Sequence, residues 1–308
     1  MLRYLLKRLA QAAVVLLVLI TVSFILIRTA PGGPLDRERA MDPAARAELE
    51  RQFHLDRSLP SQYLLFLRDI ATGELRSLKY QSETVHERIA RYLPVSMLLG
   101  AIALLLAVGL GVGAGVIAAI RHNRPADHVA MVAAMVGLAV PTFVVGPLLA
   151  LVFGLWLGWL PVAGYAGWAK PAYLVLPALA LALPYAARIA RLTRAGMLEV
   201  VHQDYVRTAR AKGLGERAVV VRHVLRGGLL PVVSYLGPAA TDILTGSLVI
   251  EAVFGIPGLG AEFVTSAFNR DYNVVMGTVI AYGVLLVVFN LLSDIAYGLL
   301  DPRVGHAA

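Results

Sequence analysis

Two carboxylates inside otherwise apolar runs are the residues whose type and position could support chemistry. Asp242 lies in the run at 229–250, and Asp294 lies in the run at 276–299. A pair of carboxylates in the middle of a membrane can share one proton and activate water, which is the chemistry of an intramembrane aspartyl protease. The residues around both acids lack the Tyr-Asp and Gly-x-Gly-Asp patterns of such enzymes. A protease is therefore an alternative that the sequence does not favour.

Asp242 has another interpretation, because it lies near the middle of its apolar run. An ionisable group at that depth normally faces the interior of a helix bundle or water. The residue could therefore line a substrate path, or it could bond to a neighbouring helix. Both alternatives stay open on the sequence alone.

Other reactive groups lack the spacing that their chemistry needs. An ATPase binds phosphate through a glycine-rich loop that ends in Gly-Lys-Ser or Gly-Lys-Thr, and none of the four lysines lies in one. The seven histidines form no pair with metal-ligand spacing, and the chain has no cysteine. We therefore expect neither catalysis by this chain nor a metal site nor a cofactor.

Long apolar helices must position these residues. Of the 308 residues, 58% are hydrophobic and only 16% are charged, against about 25% charged residues in an average soluble domain. Six apolar runs are close to the ~20 residues that a helix needs to cross a bilayer. They cover residues 9–27, 94–120, 129–153, 173–193, 229–250 and 276–299. The sequence predicts an all-α integral membrane protein with six transmembrane helices.

The predicted domains follow these runs. An N-terminal transmembrane helix occupies residues 1–30, and a polar helical segment outside the membrane occupies 31–93. A five-helix core occupies 94–300 and includes a cytoplasmic loop at 194–228, and a short cytoplasmic tail occupies 301–308. A signal peptide is the alternative for the first run, but its apolar part would be only about 7–15 residues long.

Basic residues in the short loops predict the orientation. Residues 188–227 hold nine basic residues against three acidic ones, whereas the loop at 154–172 holds only Lys170. Because cytoplasmic loops are enriched in Lys and Arg, we expect the 188–227 loop and both termini in the cytoplasm. This distribution also explains the net charge of +8, so nucleic acid is not an expected partner. The three tryptophans fall in the 154–172 loop and predict an aromatic belt at the outer interface.

Short helices are expected within the polar segment at 31–93. Asp42 before Pro43 is typical of a helix start and predicts a helix that ends near residue 54. Further helices are predicted over 60–71 and over 83–91, the last one after a Ser82 cap. The segment is either a solvated connection or a helical cap at the mouth of a pore.

Prolines interrupt the third, fourth and fifth apolar runs. They are Pro141, Pro147, Pro177, Pro184, Pro231 and Pro238. Each proline frees a backbone carbonyl that neighbours or water must satisfy, so these helices either bend around a path that opens and closes or show the ordinary tolerance of membrane helices for proline. Pro141 and Asp242 are the candidate residues of a substrate path. Glycines in the second run, at 109, 111, 113 and 115, would let helices pack closely.

The loop at 204–214, DYVRTARAKGL, is a basic segment in an apolar protein. Asp204 is expected to cap a short helix over 205–212, and Gly213 fits the left-handed position that ends it. A second helix should start at Gly215 and return toward the membrane, ending near residue 226. Small side chains would let the first helix lie in a partner's groove, and Arg207 and Arg210 would share a face. A solvated basic loop that binds anionic lipid is the alternative.

Three arginines, Arg188, Arg191 and Arg194, precede this loop at helical spacing. Their stems can stay in the apolar zone while the guanidinium groups reach the lipid headgroups. We expect this role to be structural.

Motifs along almost the whole chain carry a family resemblance. DYVRTARAKGL is followed by RHVLRGGLLPV at 222–232, EAVFGIPGLG at 251–260, RDY at 270–272 and SDIAYGLLDPRV at 293–304. In this order and spacing they resemble the binding-protein-dependent ABC permeases of the dipeptide/oligopeptide/nickel group. In the N-terminal half, RTAPGGPLDRERAMDP, FHLDRSLPSQY and FLRDIATGEL resemble the oligopeptide-type first permease subunit.

The sequence departs from the family patterns in three places. The later Ile-x-Leu-Pro element of the general permease loop is not found at its usual distance, and Pro231 lies farther on, as in the peptide branch. Arg207-Thr208-Ala209 stands where the general permease loop begins Glu-Ala-Ala, although Gly213 keeps the spacing. The sequence GELR at 73–76 stands where the peptide branch often has a Gly-Asp-(Leu/Phe)-Gly turn.

The resemblance implies a type I ABC importer permease, with one peripheral N-terminal helix and a five-helix core, in a bacterial inner membrane. The implied partners are a second similar permease subunit, two ABC ATPase subunits, an extracytoplasmic peptide-binding protein and the lipid bilayer. One ATPase would grip the 204–214 helix. The implied ATPase-coupling residues are Asp204, Tyr205, Arg207, Thr208, Ala209, Arg210, Ala211, Lys212, Gly213 and Leu214.

The implied function is that of a pore subunit in an ATP-driven oligopeptide importer. Dipeptides, nickel and glutathione are alternative substrates within the wider family. A secondary transporter is a further alternative, but the six apolar runs show no internal repeat of the kind that such transporters are built from.

Overall fold

The structure is a computed structural model that describes residues 2–29 and 43–300. Within those residues the regular elements are helices, with an isolated β-bridge between Arg76 and Thr84. The predicted helix break at 31–34 and the predicted tail at 301–308 lie outside the described residues.

The α-helices follow one another without strands between them in the described ranges. In chain order they are α1 (Leu2–Thr29), α2 (Pro43–Gln52), α3 (Leu59–Thr72), α4 (Val85–Ile120), α5 (Pro125–Ala139), α6 (Thr142–Leu149), α7 (Ala172–Val201), α8 (Asp204–Ala211), α9 (Glu216–Val219), α10 (Leu225–Gly228), α11 (Leu230–Phe254), α12 (Leu259–Phe268) and α13 (Tyr272–Leu300). π-Helical segments occur at Ala150–Trp156 and Val220–Val224, and a 3-10 turn occurs at Gly167–Ala169.

The long helices confirm the predicted apolar crossings. Five helices in the described ranges are long and apolar enough to span a membrane, namely α1, α4, α7, α11 and α13. A sixth crossing is formed if α5 and the following helical residues to Trp156 count as one span, which bends by 107°. The bend lies at Pro141, which directly precedes α6, so a kink at this predicted proline is confirmed.

The prediction of a separate helix at 83–91 is wrong, because α4 runs without interruption from Val85 through Pro94. Its start is a capping box. The Thr84 amide donates to Glu87 Oε2 at 2.8 Å, and the Glu87 amide donates to Thr84 Oγ1 at 3.2 Å. Thr84, and not Ser82, is therefore the cap. Proline is tolerated inside a membrane helix because neighbouring groups can satisfy the carbonyl that it frees.

The two helices predicted earlier in the polar segment are confirmed. The first is α2, and the second is α3, which ends at Gly73 with a φ of +74°. Only glycine adopts this left-handed conformation without steric cost. This is the first position of the GELR sequence, so the turn there keeps its helix-ending glycine.

The described chain forms two compact units, and one of them contains residues 2–96 and 257–285. Its apolar core consists of Phe24, Phe66, Leu75, Val85, Val274 and Met276. Arg88 and Glu262 form a buried ion pair in this unit, with 2.5 Å between Arg88 Nη2 and Glu262 Oε1.

The other unit contains residues 97–256 and the residues from 286 onward. In this unit α7 packs against α5, α6 and α11. A Cβ on Gly111 would lie 2.7 Å from the Ala186 carbonyl oxygen, and one on Gly115 would lie 2.5 Å from the Ala190 carbonyl oxygen. These two glycines therefore permit close packing of α4 on α7, as predicted, whereas Cβ atoms on Gly109 and Gly113 would meet no atom within 4 Å.

Candidate functional site

Helix α8 starts one residue earlier than predicted, and Asp204 is not its cap. Gln203 is the extended residue before the helix, and the amides of Val206 and Arg207 donate to its carbonyl oxygen at 3.0 and 3.2 Å. No side chain caps this helix start. Asp204 is instead the first helical residue, where a carboxylate interacts favourably with the positive end of the helix dipole.

The end of α8 is a Schellman motif. The Gly213 amide donates to the Arg210 carbonyl oxygen at 2.9 Å, and the Leu214 amide donates to that of Ala209 at 3.4 Å. Gly213 has a φ of +80°, and a Cβ there would meet no atom within 4 Å. Its predicted left-handed conformation is therefore confirmed, and its backbone conformation is the reason for glycine at this position.

One face of α8 holds the helix on the rest of its unit. Val206 is fully buried and Ala209 is 5% exposed, and both belong to an apolar cluster with Met197 of α7. Val219 and Val224, from the segment that follows α8, complete this cluster. Val206 was not among the predicted coupling residues, and Ala209 was predicted to face a partner. Only the packing shows that these two side chains attach α8 to its own chain.

The opposite face of α8 is open. Its exposed residues, with those of the following turn, are Asp204, Tyr205, Arg207, Thr208, Arg210, Ala211, Lys212, Gly213 and Leu214. Apart from Ala209, all the candidate coupling residues are therefore exposed on the described chain. We call this set the α8 surface.

The two arginines of α8 have different surroundings. Arg210 donates from Nη2 and Nε to the two carboxylate oxygens of Glu216, at 2.7 and 3.2 Å, and so ties α8 to α9. This hydrogen-bonded pair holds the pKa of the Glu216 carboxyl below its ordinary value. Arg207 lies 3.8 Å from Asp204, with both side chains highly exposed.

Glycines seat the returning chain directly against α7. A Cβ on Gly196 of α7 would clash with the carbonyl oxygen of Gly228 in α10, and one on Gly228 would lie 2.9 Å from Met197 Cγ. A Cβ on Gly227 would lie 3.3 Å from the Tyr205 hydroxyl oxygen, which places Tyr205 of α8 beside α10. Helix α8 is therefore attached to the end of α7 and to the start of the path into α11.

The predicted helix from Gly215 to about residue 226 is present in three pieces. Gly215 precedes α9 as predicted, but the helix widens into a π-helical segment at Val220–Val224 before α10. Such segments are rare and occur frequently at functional sites.

The predicted role of Arg194 at the lipid headgroups is wrong. Arg194 Nε and Nη2 donate to the two oxygens of Asp127 at 2.6 and 2.8 Å. The Asp127 side chain is 1% exposed and also accepts the Asn123 amide at 2.9 Å. The pair fixes the turn between α4 and α5 to α7, a link between distant residues that the sequence does not reveal.

Arg188 also has a protein neighbour. Its guanidinium carbon lies 5.1 Å from the centre of the Tyr235 ring, a cation–π distance. Arg191, by contrast, is exposed.

The two candidate path residues lie in the same unit. Asp242 is exposed on α11, and Pro141 is exposed at the bend before α6. Asp294, the other acid of the protease alternative, is half-buried on α13.

A further acidic residue, which the sequence analysis did not single out, organises the other unit. Asp271 accepts hydrogen bonds from the Ser77 hydroxyl and from the amides of Leu78, Lys79 and Val274. It thereby fixes the loop before α4. The RDY motif is the signal that could have indicated it, because an acid in a short loop often caps neighbouring amides.

Comparison with known proteins gives matches along the whole chain. A family described as "Binding-protein-dependent transport system inner membrane component" matches residues 111–306, and one described as "Binding-prot-dependent transport system membrane comp, N-term" matches residues 1–97.

Similar sequences include the oligopeptide transport system permease protein OppB of Haemophilus influenzae and that of Escherichia coli (strain K12). Each is 45% identical over 307 residues, which cover 99% of this chain and 100% of the relative. The dipeptide transport system permease protein DppB of Bacillus subtilis is 44% identical over 305 residues, which cover 99% of this chain and 98% of that protein.

Solved structures share the fold at lower sequence identity. An inward-facing MetNI methionine ABC transporter matches with a TM-score of 0.57 and 17% identity, over 70% of this chain and 96% of the other. An amino acid ABC transporter with histidines matches with a TM-score of 0.54 and 19% identity, over 69% and 94% of the two chains.

Proposed function

Since this chain belongs to the family of binding-protein-dependent transport system inner membrane components, we propose that it forms part of the transmembrane pore of an ATP-driven oligopeptide importer. The fold is that of a type I ABC importer permease, and the chain is a multi-pass inner-membrane protein. The chain is a transport component, not a catalytic subunit, and it works with an ATPase and a substrate-binding protein. The family match overturns the intramembrane protease and secondary transporter alternatives.

Oligopeptides are the proposed substrate because full-length relatives at 45% identity are oligopeptide permeases by name. A dipeptide importer is a second candidate, since a dipeptide permease is 44% identical over almost the same length. In either case the pore meets an extended peptide with a charged group at each end.

The single observation that carries the coupling role is the two-sided nature of α8. Val206 and Ala209 anchor it in an apolar cluster with Met197 of α7, Val219 of α9 and Val224 just before α10, while the α8 surface is open. A force applied to that surface would therefore act on α7 and, through α10, on α11. The ATPase is the partner that such an importer needs at this surface.

The proposed assembly contains this chain, a second permease subunit, two ATPase subunits and an extracytoplasmic peptide-binding protein. Both termini and the α8 surface would face the cytoplasm, as the basic residues of the 188–227 loop favour. Pro141 and Asp242 would lie along the substrate path. The bend at Pro141 and the exposure of Asp242 support this placement.

Added bulk on the α8 surface tests the coupling role. Ala211 is exposed, so Ala211→Trp should fold normally but obstruct the fit of an ATPase groove. In vesicles that contain the four-subunit importer, binding protein and a tripeptide, we expect ATP-driven uptake to fall by about tenfold or more, the loss that corresponds to about 1.4 kcal/mol of docking energy. ATP hydrolysis should become insensitive to the loaded binding protein.

Arg217→Trp is the matched control, because Arg217 is exposed on α9 outside the α8 surface. It places the same indole ring beside the α8 surface but outside it, and it should leave uptake near the wild-type rate. Normal uptake by Ala211→Trp would mean that α8 does not couple the ATPase to the pore. Absence of ATP-driven peptide uptake by the wild-type importer would contradict the proposed function itself.

A further inference from the structure

Arg188 on α7 and Asp242 on α11 are exposed charged side chains on two helices that pack together. Asp242 is at the middle of α11, about 18 Å of helix from each end at 1.5 Å per residue. Arg188 is exposed on α7, which packs against α11. A charged residue at the centre of a bilayer costs about 2.5–3.5 kcal/mol or more. Asp242 therefore faces water or a partner in the assembled protein, and not lipid.

The described residues of the chain do not neutralise either charge. Among residues 2–29 and 43–300, Arg188 contacts the face of Tyr235 and has no carboxylate within ion-pair distance. The Asp242 carboxylate likewise has no hydrogen-bond donor or cation in the described part of the chain. The ion pairs elsewhere in the unit, such as Arg194–Asp127, show that this fold neutralises charges that it buries. These two charges are instead left available to a ligand.

Aromatic hydroxyl groups accompany the two charges. Tyr185 lies one turn before Arg188 on α7, and a Cβ on Gly246 would be 3.9 Å from its hydroxyl oxygen. The charge of Asp242 acts electrostatically on the phenols of both Tyr185 and Tyr235. We call Arg188, Tyr185, Tyr235 and Asp242 the α7–α11 polar face.

The spacing along this face matches a short peptide. Asp242 lies seven residues, or about 10 Å of helix, beyond Tyr235, the residue that contacts Arg188. An extended chain covers at most about 3.3–3.6 Å per residue, so the two termini of a tripeptide can lie about 10 Å apart. The ammonium group and the carboxylate of a short peptide therefore have a separation similar to the spacing of Tyr235 and Asp242 along α11.

We propose that the α7–α11 polar face is a transient binding site for the backbone termini of the transported peptide. The proposal rests on the proposed function, because it assigns the chemistry of the substrate path in that importer. Asp242 accepts hydrogen bonds from the α-ammonium group, and Arg188 donates to the α-carboxylate. Tyr185 and Tyr235 provide further hydroxyl groups along the peptide. The site recognises what all peptides share and leaves their side chains free, which suits a pore that carries many sequences.

The test compares uptake of three forms of trialanine by the complete importer in vesicles. The forms are the free tripeptide, its N-acetylated form and its C-amidated form, each supplied at a concentration that saturates the binding protein. The variants are Asp242→Asn and Arg188→Gln, which remove a charge at nearly constant size. The ratio of uptake rates between two forms is measured with the same binding protein throughout, so a change in that ratio reports on the permease.

We expect Asp242→Asn to lower uptake of the free peptide by about tenfold or more, in line with the loss of a charge-assisted hydrogen bond. It should leave uptake of the N-acetylated form unchanged, so the ratio of the two falls toward one. Arg188→Gln should do the same for the ratio of the free to the amidated form. The controls Glu199→Gln and Arg191→Gln remove exposed charges from α7 outside the face and should change neither ratio.

Several results would overturn the proposal. Equal losses for all three forms would mean that the charges bind the second permease subunit or maintain the shape of the pore. Failure of the variants to co-purify with the other subunits would likewise mean that the charges bind the second permease subunit or maintain the shape of the pore. Unchanged uptake of every form would mean that the α7–α11 polar face does not lie on the substrate path. Each of these outcomes requires that the wild-type importer transports the free peptide, whereas a failure there contradicts the proposed function.

Discussion

At the scale of single residues, the Arg194–Asp127 pair shows how this unit fixes a turn. The carboxylate is 1% exposed and receives two guanidinium bonds and one backbone amide. A buried ion pair adds little net stability compared with apolar residues of the same shape, but the loss of one partner leaves a charge without compensation. The pair therefore makes the connection from α4 to α5 specific to its place on α7.

We predict that Arg194→Ala destabilises the protein by about 3–5 kcal/mol, because it removes the guanidinium group that pairs with the buried Asp127 carboxylate. The thermal unfolding midpoint in detergent measures this loss. Arg191→Ala is the matched control and should change stability by less than about 0.5 kcal/mol, since Arg191 is exposed. If both variants unfold at the wild-type temperature, the pair does not hold the turn.

At the scale of elements, α8 combines features that sequence patterns reveal and features that they do not. Its end was predictable, because a glycine after a short polar helix is typical of a Schellman motif and Gly213 adopts the required φ of +80°. Its buried side was not, because one valine and one alanine within a basic segment do not form a visible apolar stripe. Only contact with Met197 and Val219 makes Val206 and Ala209 an anchor.

The stability of the turn between α8 and α9 should depend on pH. Arg210 holds the Glu216 pKa below its ordinary value in the folded chain. The resulting stabilisation is fully present above the unfolded-state pKa, near 4.3, and is lost as the pH falls through the lower folded-state pKa. Because the Glu216 side chain is 62% exposed, the contribution at neutral pH is only about 0.2–1 kcal/mol.

We predict that Glu216→Gln lowers the unfolding midpoint slightly between pH 6 and 8, by an amount worth about 0.2–1 kcal/mol. The difference from the wild type should shrink as the pH falls below the unfolded-state pKa and disappear once Glu216 is neutral in the folded chain. Glu199→Gln serves as the control, because Glu199 is exposed and outside this pair. A difference that persists unchanged into acid would mean that the pair is not its source.

At the scale of the whole molecule, the chain consists of apolar crossings that carry a few groups of polar and charged residues. One unit contains the α8 surface and the α7–α11 polar face, and the other contains the loop fixed by Asp271 and the Arg88–Glu262 pair. In the predicted aromatic belt, Trp156 and Trp159 are 73% and 70% exposed, as residues at a membrane interface would be, whereas the side chain of Trp168 lies outside the description. The orientation of the crossings stays a prediction from the loop charges.

The absence of cysteine makes this orientation directly testable, because an introduced thiol is the only one in the chain. His202→Cys, beside the α8 surface, and Trp159→Cys, in the tryptophan-rich loop, replace exposed residues. In right-side-out vesicles, a membrane-impermeant maleimide should label Trp159→Cys at least about tenfold faster than His202→Cys, since a charged reagent crosses hydrocarbon poorly. Inside-out vesicles should reverse the preference, and the unmodified chain gives the background. The opposite pattern would invert the proposed topology.

The sequence by itself determined the features that depend on neighbouring residues. Runs of apolar residues predicted the crossings, Gly73 and Gly213 predicted helix ends, and the motif order indicated the family. Local signals were less reliable where two competed. The Thr84–Glu87 capping box fixes the start of α4, which then continues through Pro94. Helix α8 begins at Asp204 because the Gln203 carbonyl accepts its first hydrogen bonds.

Only the tertiary structure decided which side chains are available. Arg194 pairs with Asp127, 67 positions away in the sequence, and Arg188 contacts the face of the Tyr235 ring. Ala209 is buried, whereas Asp242 is exposed. The physical reason is that burial and ion pairing depend on helices that are distant in sequence and adjacent in space. A periodic pattern places a residue on a face of its helix, but the neighbouring helix determines whether that face becomes core or binding surface.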